Sequence, residues 1–150
     1  MSEKYDCTKD VKMHIRYVQH FLKMIFFELV NERIPNHDAS KLQEPEKPMF
    51  DVWTPKLKEF EFGSDAYKAA LAGMGEALKH HYENNRHHPE HFENGVDGMN
   101  LIDVIEMVCD RRAAAFLKGE SPNLDYLTQR FNLSDQMRSI ISNTLEWLGQ

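Results

Sequence analysis

Cysteine is scarce in this sequence. Cys7 and Cys109 are the only two, they lie far apart, and the second falls in an apolar helical run, so a disulfide framework is excluded and both read as free thiols of a reducing compartment. No apolar run approaches the roughly 20 residues that a membrane span needs, and the opening Met-Ser-Glu-Lys-Tyr-Asp has no apolar core of a signal peptide. The expectation is a cytoplasmic protein with no membrane partner. Basic charge is also in deficit, with 18 Lys and Arg against 24 Asp and Glu and a formal charge of -6. A nucleic-acid duplex or an anionic membrane surface is therefore a poor partner, whereas a small anion fits wherever a metal or a local lysine offsets the field. Strand-like alternation, internal repeats and low-complexity tracts are missing too.

What is present is ordinary for a globular protein: 41% apolar and 28% charged residues, which argues against disorder. A chain of 150 residues fits one domain with one sizeable core. The expected fold is all-α, a compact single-domain bundle of about six or seven helices over 1–150. Histidine is the compositional oddity, because five of the eight fall between His80 and His91 and such clustering points to a shared task.

The first helix is expected from Thr8 to Arg33, capped by Thr8 or Asp10 and closed before Pro35. Ile15, Val18, Phe21, Leu22, Ile25 and Leu29 form its apolar stripe. At about 100° per residue His14 falls inside that sector, and His20 lies about 120° away from His14, so His14 is the candidate ligand. A short helix should carry His37-Asp38 and end by Glu44, before a loop bracketed by Pro45 and Pro48. Thr54-Pro55 reads as an N-cap and first helical position, with the helix running to Phe62 and stopping at Gly63. The next helix, about Ser64 to Asn85, buries Tyr67, Ala70, Leu71, Met74, Ala77, Leu78 and Tyr82. Gly73 and Gly75 lower its helix propensity and suggest close approach of another backbone.

On that wheel His81 and Asn85 point inward and His80 does not, while Pro89 leaves open whether His87 or His88 turns in. Pro89 to Gly98 is a loop rich in turn formers and acids. Asn100 caps a helix to about Lys118 whose apolar face is Leu101, Ile105, Val108, Cys109 and Phe116. Asp103, Glu106 and Asp110 stand nearly opposite, the usual place of a solvent face, but the stripe runs on into Ala113, Ala114 and Leu117, so the alternative is a helix packed on two sides with its acids turned to an internal polar site. Asn123–Asn132 and Ser134–Leu148 complete the helices and contribute packing only.

His37-Asp38 makes half of a divalent metal site, because neutral imidazole nitrogen and carboxylate oxygen suit borderline transition metals. In chain order the candidates are His14, His37, Asp38, His81, His88 with His87 as its alternative, and Asp110. This order within an α-helical chain resembles the HD-domain superfamily of metal-dependent phosphohydrolases, and specifically its small HD-like families without assigned substrate. The resemblance implies that His14, His37, Asp38 and Asp110 form the four-ligand set, that His81 with His88 or His87 is the additional pair of two-metal variants, and that Asp38 bridges. His37-Asp38-Ala39-Ser40-Lys41 is similar to the His-Asp-x-x-Lys form, in which the lysine lies near the substrate phosphate. His87-His88-Pro89-Glu90 and Asp97-Gly98 are similar to the branch that cleaves cyclic dinucleotides. The Gly-Tyr-Pro tripeptide of that branch is absent, with Gly98-Met99-Asn100 in its place.

The implied cofactor is one or two divalent transition metals, Mn, Fe, Co, Ni or Zn, acting on a nucleotide or related phosphate ester through a metal-activated water. Asp38 and Lys41 are the expected catalytic residues, and Lys41, Asn85 and Arg86 the expected substrate contacts. Two further readings stand beside this one: a di-iron oxygenase built on the same six ligands, and a metal- or nucleotide-binding module without turnover. The plainest alternative leaves the histidines as solvated or core groups.

Overall fold

The structure, a computed structural model, describes residues 5–149. Those residues are all-helical, with seven helices of eight or more residues, one single-turn α-helix and no strand. No helix among them is long and apolar enough to cross a membrane. The chain divides into two units, Met1–His37 and Asp38–Gln150.

The first unit is a single helical run: α1 (Thr8–Glu28), a π-helical turn (Leu29–Arg33) and the one-turn α2 (Ile34–Asn36). The run does not close before Pro35 as its sequence suggested. A proline ring clashes with the carbonyl four residues back in a regular α-helix, and the wider π turn shifts the register just ahead of it, so helical backbone continues to Asn36. No residue of α1 is buried, since a lone helix has no second element in its own unit to pack on. Ile15, Val18, Phe21, Leu22 and Ile25, expected as a buried stripe, are exposed. His14, read as inward with that stripe, is exposed as well.

The second unit carries the rest. His37-Asp38 does not lie on a short helix: His37 is the C-cap of α2, and Asp38 takes the left-handed conformation (φ 55°, ψ 15°) before a 3-10 turn over Ala39–Leu42. Then α3 (Glu46–Glu59) starts eight residues before the expected Thr54 cap and contains Pro55. Pro48 is tolerated in the first turn, where its missing N–H has no intrahelical partner to lose. Pro55 deprives the Asp51 carbonyl of a donor, and Asp51 is exposed to water.

The helix expected from about Ser64 to Asn85 is two, α4 (Asp65–Gly73) and α5 (Gly75–Asn84), broken at Gly75 with φ +51°. Ser64 caps α4 by accepting from the Tyr67 amide at 3.1 Å. What approaches Gly73 is a side chain, not another backbone: a Cβ there would sit 2.5 Å from the Trp53 ring of α3. Two 3-10 turns (Pro89–His91 and Gly95–Gly98) lead into α6 (Leu101–Phe116), and α7 (Leu124–Phe131) and α8 (Asp135–Trp147) follow.

The apolar core lies among α6, α7 and α8: Val104, Met107, Val108, Leu127, Leu133, Ile141 and Leu145 are buried together. Of the apolar face expected on α6 only Val108 is buried, and the acids turn inward as in the two-sided alternative. Leu101, Ile105 and Phe116 are exposed, whereas Asp103 is fully buried and Glu106 and Asp110 are half-buried. Asp103 can be buried because its carboxylate closes the capping box with Asn100 and accepts from Arg86 Nε and Nη2 at 3.1 and 2.9 Å. A buried carboxylate is tolerated when its lone pairs are taken up in this way.

Candidate metal centre

Asp38, His81, His87 and His88 come together at the junction of the 3-10 turn, α5 and the segment after α5. One ligand atom from each lies within 4.8 Å of those of the others. His81 Nε2 and His87 Nε2 are each 3.4 Å from Asp38 Oδ1, and His81 Nε2 stands 2.8 Å from His88 Nε2. All three imidazoles are buried.

Local backbone explains how neighbours in sequence face the same point. His81 sits on the last turn of α5, and the helix ends when Asn85 turns extended (φ -126°, ψ 103°). Proline at 89 drives the residue before it out of the α region, and His88 is extended accordingly (φ -96°, ψ 125°). Neither helix nor strand could aim two consecutive side chains at one point, since they diverge by about 100° or 180°. The irregular turn brings in both His87 and His88, so the alternatives left open at these positions are not exclusive. The turn itself is tied down by Arg130 Nη2, which donates to Glu90 Oε1 at 2.6 Å and to the Tyr82 hydroxyl at 3.3 Å, and by His91 Nδ1 against the Tyr82 carbonyl at 2.9 Å.

The outer nitrogens of two rings rest on carboxylates. His81 Nδ1 donates to Glu46 Oε2 at 2.9 Å, and the other Glu46 oxygen holds His80 Nδ1 at 2.7 Å. Glu46 is fully buried. His87 Nδ1 lies 3.2 Å from Glu106 Oε1. A carboxylate on Nδ1 fixes the tautomer that leaves Nε2 as the ligand atom, the arrangement found behind metal-bound histidines. His88 is oriented differently, with Nδ1 facing Arg111 Nη2 at 3.4 Å.

Asp38 divides its two oxygens. Oδ1 faces the histidines, and Oδ2 accepts from Lys41 Nζ at 2.5 Å. The left-handed backbone that aims it costs on the order of 1 kcal/mol for a residue with a Cβ, and aspartate is among the side chains that tolerate it best. Asn85 braces the opposite edge, donating to Ser40 Oγ at 2.8 Å and to the His81 carbonyl at 2.8 Å.

Asp110 extends the cluster. Its carboxylate, Asp38 and His87 each offer a ligand atom within 4.8 Å of the others, so Asp110 adds a second carboxylate beside Asp38. Arg86 is engaged elsewhere, by Asp103 and over the Phe92 ring. His14 and His37 belong to the first unit.

Charge follows geometry. Burial works against the charged form of His87, yet the carboxylates of Asp38 and Glu106 outweigh it, with help from Asp110, and hold its pKa up at about 9. His88 is pushed far down, by burial first and then by the charges of His87 and Arg111. His81 is lowered by burial and Lys41 against the pull of Asp38 and Glu46. His81 and His88 thus favour the neutral form that metal ligation requires, whereas His87, held by its carboxylates, would have to release a proton to join them.

Glu46, Glu106 and Arg111 are absent from the sequence-derived site. Glu106 had a visible signal, its place on the acidic stripe between Asp103 and Asp110. Glu46 had none, since an acid in the first turn of a helix ordinarily serves the helix dipole at the surface.

Residues 3–147 match DUF5662, a family of unknown function. No curated protein and no solved structure matches the chain.

Proposed function

We propose that this chain, which belongs to the DUF5662 family, is a metal-dependent hydrolase of phosphate esters whose metal is held by Asp38, His81, His87 and His88. The supporting observation is a buried cluster in which the Nε2 atoms of His81 and His87 face one oxygen of Asp38 and His88 Nε2 lies against His81 Nε2, with the first two rings anchored from behind by Glu46 and Glu106. A solvated or core histidine needs one partner per nitrogen; it does not need two further imidazoles packed around the same carboxylate. The donor set, nitrogen and oxygen without thiolate, fits Mn, Fe, Co, Ni or Zn better than Mg. The reaction class comes from the ordered resemblance to HD-domain phosphohydrolases.

A divalent ion there would supply a water of lowered pKa and offset the charge on phosphate oxygens. Asp38 would hold the ion together with the three histidines, Asp110 would add a carboxylate beside them, and Asp38 Oδ2 holds the Lys41 ammonium at the site, where it would offset phosphate charge. Glu46 and Glu106 fix the rings. Asn85 holds the Ser40 turn against α5 and acts as a positioning residue. Arg86, expected on substrate, also positions α6 through Asp103.

The test is tag-free purification, metal quantification, and a screen of phosphomonoesters and phosphodiesters with each candidate metal added. Bound transition metal near one or two equivalents and a metal-dependent release of phosphate or alcohol are expected, both lost in Asp38→Asn and His81→Ala. Activity that survives exhaustive chelation, or is equal in those variants, refutes the proposal.

A further inference from the structure

We propose a second ligand site in the Asp38–Gln150 unit: the cleft between the α3–α4 connection and the C-terminal half of α6, which accepts a small acid made of a flat apolar body and one carboxylate or phosphate. The cleft has a volume of about 230 Å3 and is lined chiefly by Phe62, Arg111, Ala114, Ala115, Lys118 and Pro122. That is room for roughly eight waters, which an aromatic acid of about ten non-hydrogen atoms would displace.

Three features select this chemistry. Phe62 is a fixed wall, its ring packed edge-on against Tyr67 and Tyr126 at centroid distances of 5.1 and 5.0 Å. Facing it, Ala114 and Ala115 leave space where larger side chains on α6 would fill it. Between this cleft and the apolar core stands Arg111, which borders both and whose side chain is only 13% exposed.

Arg111 is under-used. Its Nε is buried and has no hydrogen-bond partner among the described residues, and its Nη2 has Asp110 and His88 Nδ1 only at 3.4 Å each. A guanidinium offers five donors in a planar fork that matches a carboxylate or phosphate, and a poorly paired, desolvated cation gains most from an added anion. Glu61 and Glu120 also border the cleft, but both are exposed, where solvent and salt screen them. Ligand in this cleft would sit one side chain away from His88, through Arg111.

The probes are benzoate and phenyl phosphate, titrated into 15N-labelled metal-free full-length protein and followed by amide shifts. Saturable shifts at Phe62 and Arg111 to Lys118 are expected, weaker by at least tenfold for benzyl alcohol and for inorganic phosphate alone. Ala114→Trp, at an exposed position that should not disturb folding, abolishes them, and Arg111→Met weakens both acids at least tenfold. The proposal fails if no saturable shift occurs, if Ala114→Trp binds like wild type, or if the shifts map to Asp38 and Lys41 instead. Zinc binding measured on the same samples keeps the two sites apart: its loss with benzoate binding retained sinks the metal centre and leaves the cleft standing.

Discussion

Metal affinity should depend steeply on pH between 7 and 9, because His87 must lose a proton before its Nε2 can ligate. With its pKa near 9, the ring at pH 7 is protonated by about 100 to one, so apparent affinity is lowered about 100-fold and recovers by about tenfold per pH unit. His88 and His81 are shifted the other way and add no proton competition in this window. The sign for stability of the metal-free protein follows. A raised histidine stabilises the fold fully below its unfolded value near 6.5 and loses that contribution as pH rises through about 9, a loss on the order of 3 kcal/mol. The lowered His88 acts at the other end, destabilising the fold as pH falls below about 6.5. Competition between the protein and a cobalt or zinc indicator, at constant ionic strength from pH 6.5 to 8.5, measures the slope. Glu106→Gln, which removes one of the carboxylates on His87, should flatten it. A flat wild-type profile would show that His87 is not a ligand that must shed its proton, and the assigned charge state would be wrong.

Other perturbations follow from the same geometry. Glu46→Gln leaves a side chain of the same shape without the charge that anchors His81 and His80, and should weaken metal binding by about 10- to 100-fold by chelator competition; a change below twofold would remove Glu46 from the site. His80→Ala should leave metal affinity within a few-fold of wild type and His81→Ala should not, and equal losses would mean that the helical phase of α5 is irrelevant to binding. Gly73→Ala drives a Cβ into the Trp53 ring and should cost about 1–3 kcal/mol in urea or thermal unfolding. Asn100→Ala removes the acceptor for two amides at the start of α6 and should cost about 1 kcal/mol, with metal affinity reported separately as a readout of whether Asp103 and Arg86 shift.

Four helix caps were legible from a short-range signal, Ser64, Asn100, Asn123 and Ser134, whereas Thr8, Asp10 and Thr54 cap nothing, since α1 starts after Cys7 and α3 at Glu46. Proline was least legible, since its effect depends on position. Pro35 and Pro55 sit within helical backbone, the first after a π turn and the second over a solvated carbonyl. In the cluster, periodicity alone distinguished His81 from His80, whereas His87 and His88 lie beyond the helix, where no period applies. The face of α6 stands between two readings for a different reason. Hydrophobicity assigns acids outward, and Asp103 is inward because Arg86, seventeen residues away, meets it there. Glu46 reaches His81 across thirty-five residues, a pairing that no local window contains.

The five residues from Asn85 to Pro89 work as a measured length. Asn85 is locked to the last turn of α5, and Pro89 begins a turn pinned by Glu90 to Arg130, so both ends of the segment are fixed while the two histidines project from its interior. Substitution alters one side chain, but a single inserted or deleted residue would rotate both imidazoles out of the cluster at once. Chain length between Asn85 and Pro89 should therefore be under tighter constraint than in the exposed Gly119–Ser121 connection, and an inserted glycine in each, assayed for metal uptake, would display the contrast directly.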